Sequence, residues 1–343
     1  MNEDKRELGY VKRFLESMDF IPGYRVAFET DPKMNLQILG IPYAPEELQY
    51  YCNETGKHAL HKDSPIDRYF KFVQRYKDIE INMLNNAIPK HPKLRKWRDE
   101  QILRCADSGL GERYYIPLAF ELTSGCSVGC EFCGFSAKRL QQIYEYNPEN
   151  IKLFESVLQT AMNVIGKAAA HGILYYATEP LDNPYYEEFT NVVFQMCGVL
   201  PQITTAVPLR NIERTKKLLC RLNQDANMFY RFSLLSLENL FEIHDYFNPE
   251  ELLYTLLLPR FPEVSYGLVH SGRMAAKERR YSGSIACVTG FVINMCNKTI
   301  SLRTPCNAEP EHPTGEIVIA TSTFKDAEEF RYRLEEMIDR WMD

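Results

Sequence analysis

The sequence predicts an α/β protein, a partial (β/α)6 barrel with a helical N-terminal domain before it and a C-terminal hairpin plus helix after it. Three observations carry that expectation. Residues 1–110 hold long apolar patterns of helical period, broken at Pro22, Pro32 and Pro42. Across 111–270, short apolar runs of strand type alternate with helical segments, and right-handed crossovers between such parallel units close a sheet toward a barrel. Over 271–343 the alternation stops and a hairpin pattern leads into a closing amphipathic helix.

Taken in order, 8–18, 45–51 and 66–84 read as N-terminal helices. The charged stretch from Pro89 to Gly111, with spaced prolines and then two glycines, reads as a domain junction. Strand one is expected at 116–122. Asn147, Pro148 and Glu149 then supply an N-cap, an N1 proline and an acidic first turn for a helix to about 170. Strands two to six are expected at 173–177, 202–206, 229–235, 252–258 and 264–269, with helices at 183–196, 211–222 and 236–245 between them. Runs 285–295 and 299–303 flank a Cys-Asn-Lys turn as a hairpin, and 325–341 closes the chain as a helix.

A chain of 343 residues with 45% hydrophobic content can bury a large core. No uninterrupted apolar run reaches membrane-spanning length, and MNEDKRELGY is charged with no apolar signal region behind it. A cytoplasmic protein with no membrane partner is the expectation. The formal charge of −6 argues against a nucleic-acid surface, because phosphate binding needs clustered excess Lys and Arg. Ten cysteines in a chain this long fit reduced thiols better than a secreted disulfide scaffold.

Chemistry is named at one place. In GCSVGCEFCGF, Cys126, Cys130 and Cys133 form a CxxxCxxC triplet that could hold three irons of a 4Fe-4S cluster and leave the fourth open. A three-Cys zinc site is the alternative, but structural zinc sites pair CxxC with a second CxxC or HxxxH, and none follows.

The triplet, with Phe132 before its last Cys, resembles the cluster loop of the radical S-adenosylmethionine superfamily. The resemblance implies a 4Fe-4S cluster with S-adenosyl-L-methionine chelated to its open iron, a 5′-deoxyadenosyl radical, and an external electron donor such as flavodoxin or ferredoxin. Tyr-Tyr-Ala-Thr-Glu-Pro at 175–180 stands where that superfamily carries a Gly-Gly-Glu-type motif, so Thr178 and Glu179 become candidate cofactor contacts; Ala177 and Thr178 depart from the two glycines. Arg231 and Ser233 alternate onto one face of strand four and are candidates for the cofactor carboxylate and ribose. Thr204 and Thr205 are weaker ones, since β-branched residues suit strands anyway.

The late stretch GSIACVTGFVINMCNKTISLRTPCNAEPEHPTGE, with VKRFLESMDF and DPKMNLQILGIPYAPEEL, resembles the radical SAM peptide epimerases of the proteusin type. That implies conversion of L- to D-residues in a ribosomal precursor peptide, its leader recruited by 1–110. Inversion needs a hydrogen atom returned from the far face by a thiol, for which Cys306 ranks first, Cys287 second and Cys296 third. Thioether or carbon–carbon crosslinking, with the late thiols on an auxiliary cluster, and a non-catalytic leader-peptide-binding protein are the alternatives.

Overall fold

The computed structural model describes residues 5–52, 63–86, 88–110, 115–225, 230–261, 269–276 and 283–342. The chain divides into two compact units: residues 1–80 with 207–266, and residues 81–206 with 267–343.

In chain order the elements are α1 (Lys5–Phe20), α2 (Tyr24–Thr30), α3 (Pro32–Ile38), α4 (Pro65–Asn86), α5 (Pro92–Asp107), β1 (Ile116–Glu121), β2 (Thr123–Ser124) and β3 (Gln142–Ile143). There follow α6 (Pro148–Ile165), α7 (Tyr186–Cys197), β4 (Thr204–Thr205), α8 (Ile212–Asp225), β5 (Tyr230–Leu234), α9 (Leu237–Tyr246) and β6 (Thr255–Pro259). The chain closes with β7 (Val288–Asn294), β8 (Thr299–Pro305), β9 (Glu316–Thr323) and α10 (Ala327–Trp341).

In the first unit the apolar stripe of α1 supplies Val11, Phe14, Leu15 and Met18 to a core shared with Phe28, Leu36 and Ile66. The α2–α3 corner is set by Asp31, whose carboxylate accepts the Met34 amide ahead of Pro32 at the first helical position. Strands β5 and β6 pair in parallel, and Phe232, Leu234 and Leu257 pack beneath them with Leu240 and Ile243 of α9. Arg231 and Ser233 alternate onto the opposite, half-buried face of β5.

The second unit is organised by a four-stranded sheet of order β1-β7-β8-β9, in which β1 and β7 are parallel and the other pairs antiparallel. All seven residues of β7 are buried, as expected of a strand with neighbours on both edges and packed faces. Gly290 is fixed by this arrangement. Its φ is +151°, and a Cβ there would lie 2.1 Å from the Pro117 carbonyl oxygen.

The expected partial (β/α)6 barrel is therefore corrected, since among the described residues no sheet closes into a barrel. Strand one takes its parallel neighbour from the C-terminal region, 172 residues on at the Ile116↔Val288 pair, which the sequence reading had assigned to a separate hairpin. The 173–177 run does not form a strand and keeps only a single bridge, Ile173 to Ala119. The Ile173 amide donates to the Leu118 carbonyl at 3.2 Å, but at the other end of the run the Ala177 amide donates to Glu121 Oε1 at 3.0 Å, and just beyond it the Leu181 amide donates to Glu179 Oε1 at 3.1 Å. A backbone claimed by carboxylates cannot extend a ladder. The expected strand at 202–206 is reduced to Thr204–Thr205. The expected strand at 264–269 lies outside the described residues apart from its last position.

Two elements add to the expectation. Helix α5 occupies the stretch read as a junction, entered through Pro92. Strand β9 extends the hairpin to a third strand, and its signal was present, with Ile317, Val318, Ile319, Thr321 and Thr323 β-branched among eight residues. The expected closing helix is α10, capped by Asp326 onto the Glu329 amide.

Gly290→Ala is expected to lower unfolding free energy by about 2–4 kcal/mol, because strained backbone and a steric clash coincide. Gly40→Ala, at φ +64° with open space around it, is expected to lose only about 1 kcal/mol. Equilibrium urea unfolding of the two variants checks the difference; equal losses would contradict the close approach.

Candidate functional site

The cysteine loop leaves the sheet at the end of β1 and is shaped by its own backbone. Cys126 N–H donates to the Lys138 carbonyl, Leu140 N–H to the Cys126 carbonyl and Gln141 N–H to the Ser124 carbonyl, so the loop returns to its base as the β2–β3 pair. Gly125 permits the crossing: at φ +87° its missing Cβ leaves room for the Arg139 carbonyl oxygen, which would otherwise be 2.2 Å away.

Two side chains pin the loop from outside. Asp182 accepts from the Ser127 amide at 2.7 Å and from the Ser127 hydroxyl. Arg273 donates to the Cys130 carbonyl at 2.8 Å and to the Ala137 carbonyl, while its own amide donates to the Cys133 carbonyl. Next to this clamp, Cys126, Ser127, Val128, Gly129, Arg139, Leu140 and Arg273 line a pocket of about 410 Å³.

Behind the pocket lies a buried polar layer. The Glu121 carboxylate, at the last residue of β1, accepts from the Ala177 amide and from Asn294 Nδ2 of β7. Burial pushes its pKa above the ordinary carboxylate range, and the Asn294 and Ala177 donors pull the other way. Glu179 accepts from Thr205 Oγ1 at 2.7 Å and from the Ala206 and Leu181 amides, and burial raises its pKa also. Tyr176 donates to Glu316 at 2.9 Å, and Glu316 pairs with Arg303 at 2.9 Å. Of its carboxylates only Glu179 was a candidate in the sequence. Glu121 ends an apolar strand run and Glu316 opens one, positions where a carboxylate signals little in sequence.

The structure brings several of the sequence-derived residues together. Cys126, Cys130 and Cys133 are half-buried in the loop with Phe132. Burial first, then Cys126, Cys133 and, more weakly, Glu179, push the Cys130 thiol up to about 11. Burial likewise raises the Cys126 thiol, with Asp182 and Glu179 adding to it. Thr178 is half-buried beside Glu179. Cys287 packs in one apolar cluster with Phe135, Tyr176 and Ala177, two residues beyond the Cys triplet at Phe135. Cys306 is buried, with Arg104, Glu309 and Cys105 among its neighbours, and burial pushes its thiol to about 11. The Cys296 thiol, near Glu121 and the Ser124 amide, is pushed to about 12 mainly by burial. Arg231 and Ser233 belong to the other unit, where Arg231 neighbours Arg260.

The cofactor expectation is corrected. Among the described residues no three His, Cys, Asp or Glu side chains form a group that could hold a metal ion. The Cys126 sulfur accepts from the Val128 and Gly129 amides, and the Cys133 sulfur from the Ala137 amide at 3.4 Å. The expected 4Fe-4S cluster loses its ligand set, and S-adenosyl-L-methionine its iron anchor. Radical SAM catalysis, peptide epimerisation to D-residues and return of a hydrogen atom from Cys306 or Cys287 fall with it.

No family model matches the chain. A protein of Sinorhizobium fredii named "Uncharacterized protein y4wI" is 32% identical over 374 aligned positions, which span 99% of this chain and 71% of that protein. Among solved structures, BtrN in complex with AdoMet and 2-DOIA superposes with a TM-score of 0.39 and 12% identity over 55% of this chain and 73% of that one, a likeness too low to carry an argument. Assignment to the radical SAM peptide epimerases is thus not supported. Among the described residues no helix is long and apolar enough to cross a membrane.

The raised carboxyl pKa values fix a pH dependence. A group whose pKa rises on folding holds its proton more tightly in the native state, so its contribution is fullest below the ordinary carboxylate range and is lost as pH climbs through the raised value. Unfolding free energy should decline over that interval, and Glu121→Gln should make the decline shallower. An identical slope in urea titrations of both proteins would contradict the assignment to Glu121.

Proposed function

The chain belongs to the same family as the rhizobial protein y4wI, and on that footing we propose that it is a ligand-binding protein whose site is the pocket beside the cysteine loop. The ligand class is a compact organic acid. One observation carries the reading: Arg139 lines the pocket, is exposed, and makes no side-chain hydrogen bond or ion pair among the described residues, whereas the neighbouring Arg273 is committed to two loop carbonyls.

A planar guanidinium with free donors fits a carboxylate in two parallel hydrogen bonds. The backbone of Arg139 is fixed by the bridge to Cys126, so the base of the side chain is placed before a ligand arrives. Val128 and Leu140 give the wall an apolar surface for the body of the acid. The Cys126 thiol, held protonated by burial, adds a neutral, polarizable contact.

Calorimetric titration with succinate, and with succinamide as its neutral counterpart, tests the proposal. Succinate is expected to bind and succinamide not. Arg139→Gln should weaken succinate binding by about tenfold or more, as loss of a charge-assisted hydrogen bond does. Unchanged affinity in that variant would refute the site.

A further inference from the structure

A second cleft lies elsewhere in the same unit, between the start of α5, the end of α6 and the outer face of α10. It encloses about 600 Å³ and is lined by Lys90, His91, Pro92, Thr160, Asn163, Val164, Arg331, Glu335 and Asp339. Its floor is set by a close approach. The Lys90 amide donates to the Ile165 carbonyl at 2.7 Å, and Gly166, at φ +82°, leaves the space that the Lys90 Cβ fills.

The polar groups of this cleft divide into committed and uncommitted ones. Glu335 accepts from Arg331 Nε at 2.9 Å, and Asp339 pairs with Lys93 at 3.4 Å. Thr160 donates to the Ser156 carbonyl, and the Asn163 carbonyl oxygen accepts from Gln159. Among the described residues the Lys90 ammonium and the Asn163 amide nitrogen make no bond, and His91 Nδ1 is buried with no hydrogen-bond partner. A buried ring nitrogen without a partner is destabilising by itself. With both carboxylates paired, the uncommitted groups that face the cleft are the Lys90 cation and the Asn163 amide donor. Arg331 retains guanidinium donors beyond the one bonded to Glu335.

We propose that this cleft is a phosphate-binding site, taking a small molecule through a phosphate group held by Lys90 and Asn163 with Arg331 at its edge. A phosphate offers several acceptor oxygens to the donors that converge on the cleft from Lys90, Asn163 and Arg331. The site is independent of the Arg139 pocket, with which it shares no lining residue.

The experiment is thermal unfolding of the full chain in inorganic phosphate against chloride at matched ionic strength, repeated for three variants. The wild-type midpoint should rise saturably with phosphate, as it does when a ligand binds only the native state. Lys90→Met should weaken the apparent affinity by about tenfold or more. Asn163→Asp, a change on an exposed helical position, should weaken it similarly by placing a like charge on the anion. Arg139→Gln should leave the phosphate response unchanged, which separates this site from the organic-acid pocket. No saturable rise in the wild type, or a rise that persists in both Lys90→Met and Asn163→Asp, would overturn the proposal.

Discussion

The carboxylate of Glu121 is the tie on which the second unit depends. It ends β1, reaches across to Asn294 of β7, and takes the Ala177 amide. One half-buried group thereby joins the parallel pair at the β1 edge of the sheet to the segment that carries Tyr176 and Glu179. Asn294 also donates to the Thr123 carbonyl, so the same tie reaches the base of the cysteine loop. Removing an acceptor of this kind leaves its donors unsatisfied, a larger penalty than the net value of each bond.

From that tie the rest follows by local steps. β1 is seated against β7 only because Gly290 lets the Pro117 carbonyl approach. The loop that leaves β1 turns back on itself because Gly125 lets the Arg139 carbonyl approach, and Asp182 and Arg273 hold the result. Arg139 is left facing the pocket as the consequence of that return. The sulfurs of Cys126 and Cys133, by contrast, are turned toward amides of their own loop.

Local patterns were legible in the sequence and long-range pairings were not. The Asn147 cap marks α6, the helical patterns at 236–245 and 325–341 mark α9 and α10, and the strand at 116–121 was placed within a residue. The barrel expectation failed at pairing. Alternating strand and helix patterns carry no information about which strand is β1's neighbour, and the apolar run at 173–177 looks like a strand until Glu121 and Glu179 are seen taking its amides and those near it. The spacing of the cysteines was plain in sequence, but where each sulfur points depends on Gly125, Gly129 and the Ala137 amide. Arg139, six residues past Cys133, gave no signal because an exposed arginine ordinarily means solvent. The cleft at Lys90 was equally silent, being assembled from residues far apart in the chain.

Amide hydrogen exchange at Ala177 tests the central tie most directly. The account predicts that the Ala177 amide exchanges slowly in the wild-type protein, through its bond to Glu121, and that Glu121→Ala releases it while the amides between β7 and β8 stay protected. Equal protection of Ala177 in both proteins, or rapid exchange in the wild type, would contradict it.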